Sequence, residues 1–301
     1  MDKVSSANKK QYAVVILLAL IWSLNFISMG IVNKEINPFS TGSMVRFFTL
    51  IILTLIIIVK KQHLSLVMLN GAMPKLLCIG ALGFLLDLTS FIGFQHSDSS
   101  TGTILLKTDV VIANILTILI FKQKFTKKDW FFTFTMLFGV CLVLGINPLS
   151  LSFKIYDIFF ILSAVFVTLN AFLIQHVQKK HNIANHVIAY YNNLLTFLFF
   201  TVSMIITNNT FNLFKAVNNN GIIMLVLAGS ITQTLVYMLY YKSLAKLPVW
   251  IIKVILLLIP VFTMLINITL FKQLITLTHF IGTILVIVSA AGIIHLHNKS
   301  T

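Results

Sequence analysis

Lys107 and Asp109 stand inside an apolar stretch, Thr101–Thr126, whose core is long enough to cross a bilayer. A charge at that depth costs on the order of 2.5–3.5 kcal/mol even on lenient insertion scales, so such a residue faces protein or water rather than lipid. Arg46, Asp87 and Lys253 are embedded in the same way. The chemistry open to this set is recognition and coupling. An embedded cation can hold an acidic side chain of the protein, a substrate or a coupled ion. Three cations stand against two anions, and the surplus positive charge points to an anionic or zwitterionic substrate.

Spacing suggests how these groups are arranged. Thr103, Lys107, Val110, Asn114 and Thr117 step by three or four and share one helix face. Asp109 lies about 200° around a regular helix from Lys107, so these two do not pair with each other. Asp87 lies roughly 10 Å from the outer membrane surface at 1.5 Å per residue, and Lys107 reaches a similar depth on the next, antiparallel helix. An Asp87–Lys107 ion pair fits. It either locks the two helices or leaves Lys107 to offer its charge to a substrate. Arg46 either pairs with Asp87 or snorkels outward, and Lys253 either snorkels to the inner interface or serves in ion pairing or coupling.

Neutral candidates join them. Asn25 shares a face with Trp22 and Met29, and Asn170 in Thr168-Leu169-Asn170 echoes Asn25 in Ser23-Leu24-Asn25. Gln233 and Tyr237 line one side of their helix with Ser230 and Tyr240. Asn25, Lys107, Asn114, Asn170, Gln233 and Tyr237 are therefore the expected substrate-binding residues. Arg46, Asp87, Asp109 and Lys253 are the expected ion-pairing or coupling residues. Tyr190, Tyr191, Tyr240, Tyr241 and Trp250 read as an interface belt, the usual place of such rings near helix ends.

These residues need membrane-spanning helices to position them. The 301-residue chain is 58% hydrophobic and 10% charged, with a mean hydropathy of +0.98. A soluble domain carries about 25% charged residues. Ten apolar spans follow, near 12–32, 39–59, 74–94, 99–121, 129–147, 155–176, 186–207, 221–243, 247–270 and 275–296. Each approaches the roughly 20 residues that cross ~30 Å of hydrocarbon. The first follows a short basic leader but is too long for a signal peptide, so it reads as a retained helix. Pro38, Pro74 and Pro248 stand at helix starts, where a missing N–H costs little. Pro260 stands within the ninth span and predicts a sharper bend there than in the fourth, where Val110 occupies the equivalent place.

Orientation comes from the basic residues. With the N-terminus inside, the inner segments hold fifteen Lys and the outer loops hold four, Lys34, Lys154, Lys215 and Lys272. Arg46, Lys107 and Lys253 complete the 22. This bias puts both termini in the cytoplasm. Phe121-Lys122-Gln123-x-x-Thr126 returns as Phe271-Lys272-Gln273-x-x-Thr276, 150 positions later, which marks two similar halves. Five helices per half is an odd number, so the second half enters from the opposite side, an architecture of secondary transporters.

Trp22-Ser23-Leu24-Asn25-Phe26, the run from Pro38 through Arg46-Phe47 and the paired Phe-Lys-Gln signatures make the chain resemble an EamA-type member of the drug/metabolite transporter superfamily. The likeness spans essentially the whole chain as two five-helix repeats, 1–148 and 149–301. In that family a proline in helix four or nine is followed thirteen residues later by a glutamate. Pro260 and Gln273 keep the spacing, while Val110 and Gln123 stand at the equivalent places in the first half. Both halves thus have Gln for the family glutamate, which questions any role for that carboxylate but not the fold. The resemblance implies an all-α polytopic membrane protein, ten transmembrane helices in two inverted repeats around a central cavity, working by alternating access.

Other classes lack their signatures. The net charge of +15 comes from short loops between spans, which argues against nucleic acid. Cys78 and Cys141 both fall in apolar spans, without metal-ligand spacing. No Gly-x-Ser-x-Gly, His-Glu-x-x-His or Gly-x-x-x-x-Gly-Lys run is present. The expectation is a permease without metal or other cofactor, for a small polar metabolite such as an amino acid. It sits in the plasma membrane as a monomer or homodimer and works in export. The competing readings are uptake, a non-transporting membrane scaffold, and a lipid-acting enzyme, for which the loops are too short.

Overall fold

The computed structural model describes residues 2–96, 99–122, 125–146, 154–210, 213, 216–272 and 276–300. These residues form α1 (Asp2–Glu35), α2 (Pro38–Val59), α3 (Met73–His96), α4 (Ser99–Leu106), α5 (Asp109–Phe121) and α6 (Lys127–Val143). They continue as α7 (Ile158–His181), α8 (Asn185–Ile206), α9 (Asn220–Leu244), α10 (Val249–Ile255), α11 (Ile259–Phe271) and α12 (Leu277–Ser300). Among the described residues there is no strand. Nine stretches among the described residues are long and apolar enough to cross a membrane. The fifth expected span is α6, whose 17 residues reach the short end of the crossing range. The boundary near 148 falls outside the described residues.

Helix starts follow local chemistry. Asn37 accepts the Phe39 N–H ahead of Pro38. Thr126 and Asp129 form a reciprocal capping box at α6. Asn219 accepts from the amides of Gly221 and Ile222 at α9. The repeated signature is a helix stop: α5 and α11 both end on a lysine in left-handed conformation, Lys122 at φ 51° and Lys272 at φ 52°. Gln123 and Gln273 lie outside the described residues.

The fourth and ninth spans are not single helices. The fourth divides into α4 and α5 at Lys107–Thr108, and the ninth into α10 and α11 around a 3-10 turn, Leu256–Leu258. The two interruptions fall at equivalent places, because α5 and α11 are each 13 residues long and start 150 positions apart. In the second half the cause is Pro260. It has no N–H for the Leu256 carbonyl, which accepts from Ile259 instead. The first half tightens likewise without a proline: Lys107, Thr108 and Val110 each donate to the carbonyl three residues back, and the Thr108 hydroxyl also bonds the Leu105 carbonyl at 2.6 Å. The interruption is therefore not confined to the half that carries the proline.

The chain forms two compact units, each drawing on both sequence halves. The first comprises Met1–Ser23, Leu86–Thr168 and Lys246–Thr301. Its core is α6 against α12, and these repeat-equivalent helices run antiparallel. Phe132 at the start of α6 meets Gly292 near the end of α12, and Gly139 meets Gly282 further along. A Cβ on Gly282 would stand 2.7 Å from the Gly139 carbonyl oxygen and the Val143 nitrogen, both backbone atoms. Gly282→Ala should therefore cost about 1–3 kcal/mol and lower the melting temperature. Gly30→Ala, with nothing within 4 Å, should leave it unchanged or slightly raised; thermal unfolding of both variants checks this.

The second unit comprises Leu24–Leu85 and Leu169–Ala245. Here α2 packs on α8 and α9. Val32, Ile36, Met44, Val45, Ile222 and Val226 share one apolar cluster. Polar cross-links stitch the same helices, with Ser43 and Thr201 hydroxyls 2.8 Å apart and the Ser230 hydroxyl donating to the Val45 carbonyl at 3.2 Å.

Candidate functional site

In the first unit the chemistry gathers at the interruptions. Asp109 is the first residue of α5, one residue past the first break, and Lys253 lies three residues before the second. Lys253 Nζ stands 2.8 Å from Asp109 Oδ2, with side chains 2% and 15% exposed. Phe121 lies twelve positions further along α5 than Asp109, about 18 Å of helix, so the pair lies deep in the apolar region. The Thr168 hydroxyl donates to the Asp109 carbonyl at 3.2 Å. Asp109 also stands at the positive end of α5, where a carboxylate is favoured. Lys253 is thus not snorkelled to the inner interface. A buried acid offers it more than the distant water does.

Lys107 sits within the first interruption and lies in electrostatic range of both Asp109 and Lys253. The angle between Lys107 and Asp109 on a regular helix does not apply, because the helix is interrupted between them. Asp87 and Lys107 are both half-buried and both engaged with partners. Asn114 turns to α6, its amide donating to the Thr133 hydroxyl at 3.3 Å. The Asn114 side-chain oxygen and the Thr117 hydroxyl are buried, with no hydrogen-bond partner among the described residues.

The second unit holds its own polar centre. The Arg46 guanidinium donates to the Tyr237 hydroxyl and lies over the Tyr237 ring, 5.5 Å from its centre. The Asn193 amide donates to the Arg46 carbonyl at 2.8 Å. Tyr237 and Tyr241 rings are 5.5 Å apart, and the Tyr241 hydroxyl accepts from the Asn192 amide at 2.6 Å. Gln178 donates to the Tyr241 carbonyl at 2.8 Å. Gln233 is half-buried one turn before Tyr237.

Asn25 and Asn170 are committed to neighbouring helices. Asn25 donates to the Gly229 carbonyl at 2.9 Å and to the Thr232 hydroxyl at 3.0 Å. Asn170 donates to the Ile79 carbonyl at 3.0 Å. The belt reading fails for three rings: Tyr240, Tyr241 and Trp250 are buried. Trp250 packs edge-on against Phe125 at 4.8 Å, and Tyr241 is held by Asn192 and Gln178. Sequence reasoning gave Gln178 and Thr133 no site role, and it counted Asn192 and Asn193 among the neutral candidates without choosing them for the site; their adjacency in an apolar span was the available signal.

A bundle of apolar helices with paired interruptions and a buried ion pair at their junction defines a multi-pass membrane protein of the two-repeat kind. A family model described as "EamA-like transporter family" matches residues 9–145 and again 154–295. The chain belongs to the EamA-like transporter family, membrane transporters of the drug/metabolite transporter superfamily. Among solved structures, one described only as "Crystal structure of protein" matches with a TM-score of 0.80 and 13% sequence identity, over 98% of each chain. At that identity the likeness concerns the fold. The comparison with curated proteins returned no match.

Proposed function

We propose that the chain is a secondary-active permease that exports a small polar metabolite bearing a carboxylate, an amino acid or a related compound, across the plasma membrane. The observation that carries this reading is the buried Asp109–Lys253 pair, set where both repeats interrupt a helix. Interrupted helices in equivalent positions build the substrate sites of many secondary transporters, with half-helix ends aimed at charged groups. A substrate carboxylate competes with Asp109 for the Lys253 ammonium. The exchange keeps Lys253 paired, and the ammonium of a zwitterionic substrate, or Lys107, which lies in electrostatic range, takes up the Asp109 carboxylate that it frees. Transport follows a substrate or ion gradient.

Purified protein in vesicles, screened against pooled metabolites for thermal stabilisation and then for counterflow, tests the proposal. Stabilisation and counterflow by a carboxylate-bearing compound support it. A protein that no pool stabilises and that moves nothing is a scaffold. Flux only into right-side-out vesicles makes it an uptake permease.

The proposed topology has both termini in the cytoplasm. Single cysteines placed at Asn219 and Gln62, in a variant lacking Cys78 and Cys141, should label from the outside and the inside respectively. Labelling of the Asn219 position from the cytoplasmic side alone contradicts the proposed orientation.

A further inference from the structure

A groove of about 630 Å³ opens where the start of α6 meets the end of α12, lined by Lys127, Lys128, Phe131, Phe132, His295 and Leu296, with Gly292 at its floor. It lies within the first unit and plays no part in the proposed transport chemistry. We propose that this groove binds an anionic phospholipid, with the phosphodiester headgroup at Lys127 and Lys128 and the acyl chains along α6.

Charge complementarity selects the headgroup. Lys127 and Lys128 are exposed, and neither makes an ion pair among the described residues. Asp129, the acid next to them, is turned into the capping box, its carboxylate 2.7 Å from both the Thr126 amide nitrogen and the Thr126 hydroxyl. The positive end of α6 adds to the field that the two lysines set up. Basic pockets between membrane helices are sites where lipid headgroups settle.

The apolar wall selects a lipid over a soluble phosphate. The Phe132 ring lies over Gly292, where a Cβ would come within 2.6 Å of its Cζ. Phe131 in the groove wall and Phe134 and Phe138 beyond it are 64%, 55% and 49% exposed. Steps of three and four put them on one face of α6, in line with an acyl chain that leaves the groove for the bilayer.

Native mass spectrometry of the full chain in detergent tests this with three probes: phosphatidylglycerol, phosphatidylcholine and soluble glycerol phosphate. Phosphatidylglycerol should remain bound where phosphatidylcholine and glycerol phosphate do not. Each lysine near an anionic headgroup contributes roughly five-fold in affinity, so Lys127→Gln with Lys128→Gln should weaken phosphatidylglycerol binding about 30-fold. Both side chains are exposed, so the variant should keep its melting temperature, and Lys60→Gln with Lys61→Gln serves as a control that should bind as the wild type does. Equal retention of the two lipids, or unchanged binding by the Lys127/Lys128 variant, overturns the proposal. So does glycerol phosphate binding as tightly as the lipid. A lipid-free dimer that the Lys127/Lys128 substitutions dissociate gives the groove to a second copy of the chain and equally overturns it.

Discussion

Lys253→Met should yield a protein that is strongly destabilised and does not transport, whereas Asp109→Leu combined with Lys253→Met should fold well and still not transport. The first half of this expectation is electrostatic. Removing one partner of a buried pair strands the other charge, which costs roughly 3–5 kcal/mol. Asp109 would then be stranded at the start of α5, about 18 Å from that helix's far end. Replacing both partners by apolar groups of similar volume removes the stranded charge, and such replacements are often neutral or stabilising.

The second half separates a structural pair from a working one. A pair that only ties α10 to α5 regains transport along with its melting temperature in the double variant. If the Lys253 ammonium is what a substrate carboxylate takes up, recovered stability comes without transport. Melting temperature beside counterflow in vesicles reads both quantities on each variant. Full transport by the well-folded double variant would take Lys253 and Asp109 out of the proposed mechanism. Lys107→Met belongs in the same series, because Lys107 lies within range of both charges.

Hydropathy and the Lys distribution made the spans legible, because each helix must satisfy its own backbone in lipid and is apolar over its whole length. The repeated Phe-Lys-Gln signature was legible as a repeat, but its role as a left-handed helix stop needed the backbone. The break at Pro260 could be anticipated from the ring. The break at Lys107–Thr108 could not, since it carries neither proline nor glycine and rests on a threonine hydroxyl and three shortened turns. Charge pairing was harder still. Lys253 and Asp109 are 144 positions apart, and depth along a single helix says nothing about which face a distant helix presents. The aromatic residues misled for a related reason. Tyr240 and Tyr241 lie near a helix end, where an interface belt is the usual environment, but tertiary packing buries both.

Arg46→Lys should raise KM about 10-fold or more while leaving the melting temperature close to that of the wild type. Arg46 sits in a set frame: its guanidinium bonds the Tyr237 hydroxyl and lies over that ring, and its carbonyl accepts from Asn193. Asn192, beside Asn193, fixes Tyr241, which packs on Tyr237. A planar cation held this way matches a carboxylate with two parallel N–H groups, a geometry that the lysine ammonium cannot reproduce. Each charge-assisted hydrogen bond lost is worth about 1.5–3 kcal/mol, hence the expected fold-change. Tyr237→Phe keeps the ring and loses the hydroxyl, so it should fall between the wild type and Arg46→Lys. Initial rates of substrate flux across a concentration series give KM and the maximal rate separately. A role confined to packing would show the reverse pattern: a lowered melting temperature in Arg46→Lys and Arg46→Met alike, with KM unmoved in whatever protein remains folded. An unmoved KM in folded Arg46→Lys protein leaves the substrate carboxylate to Lys253 alone.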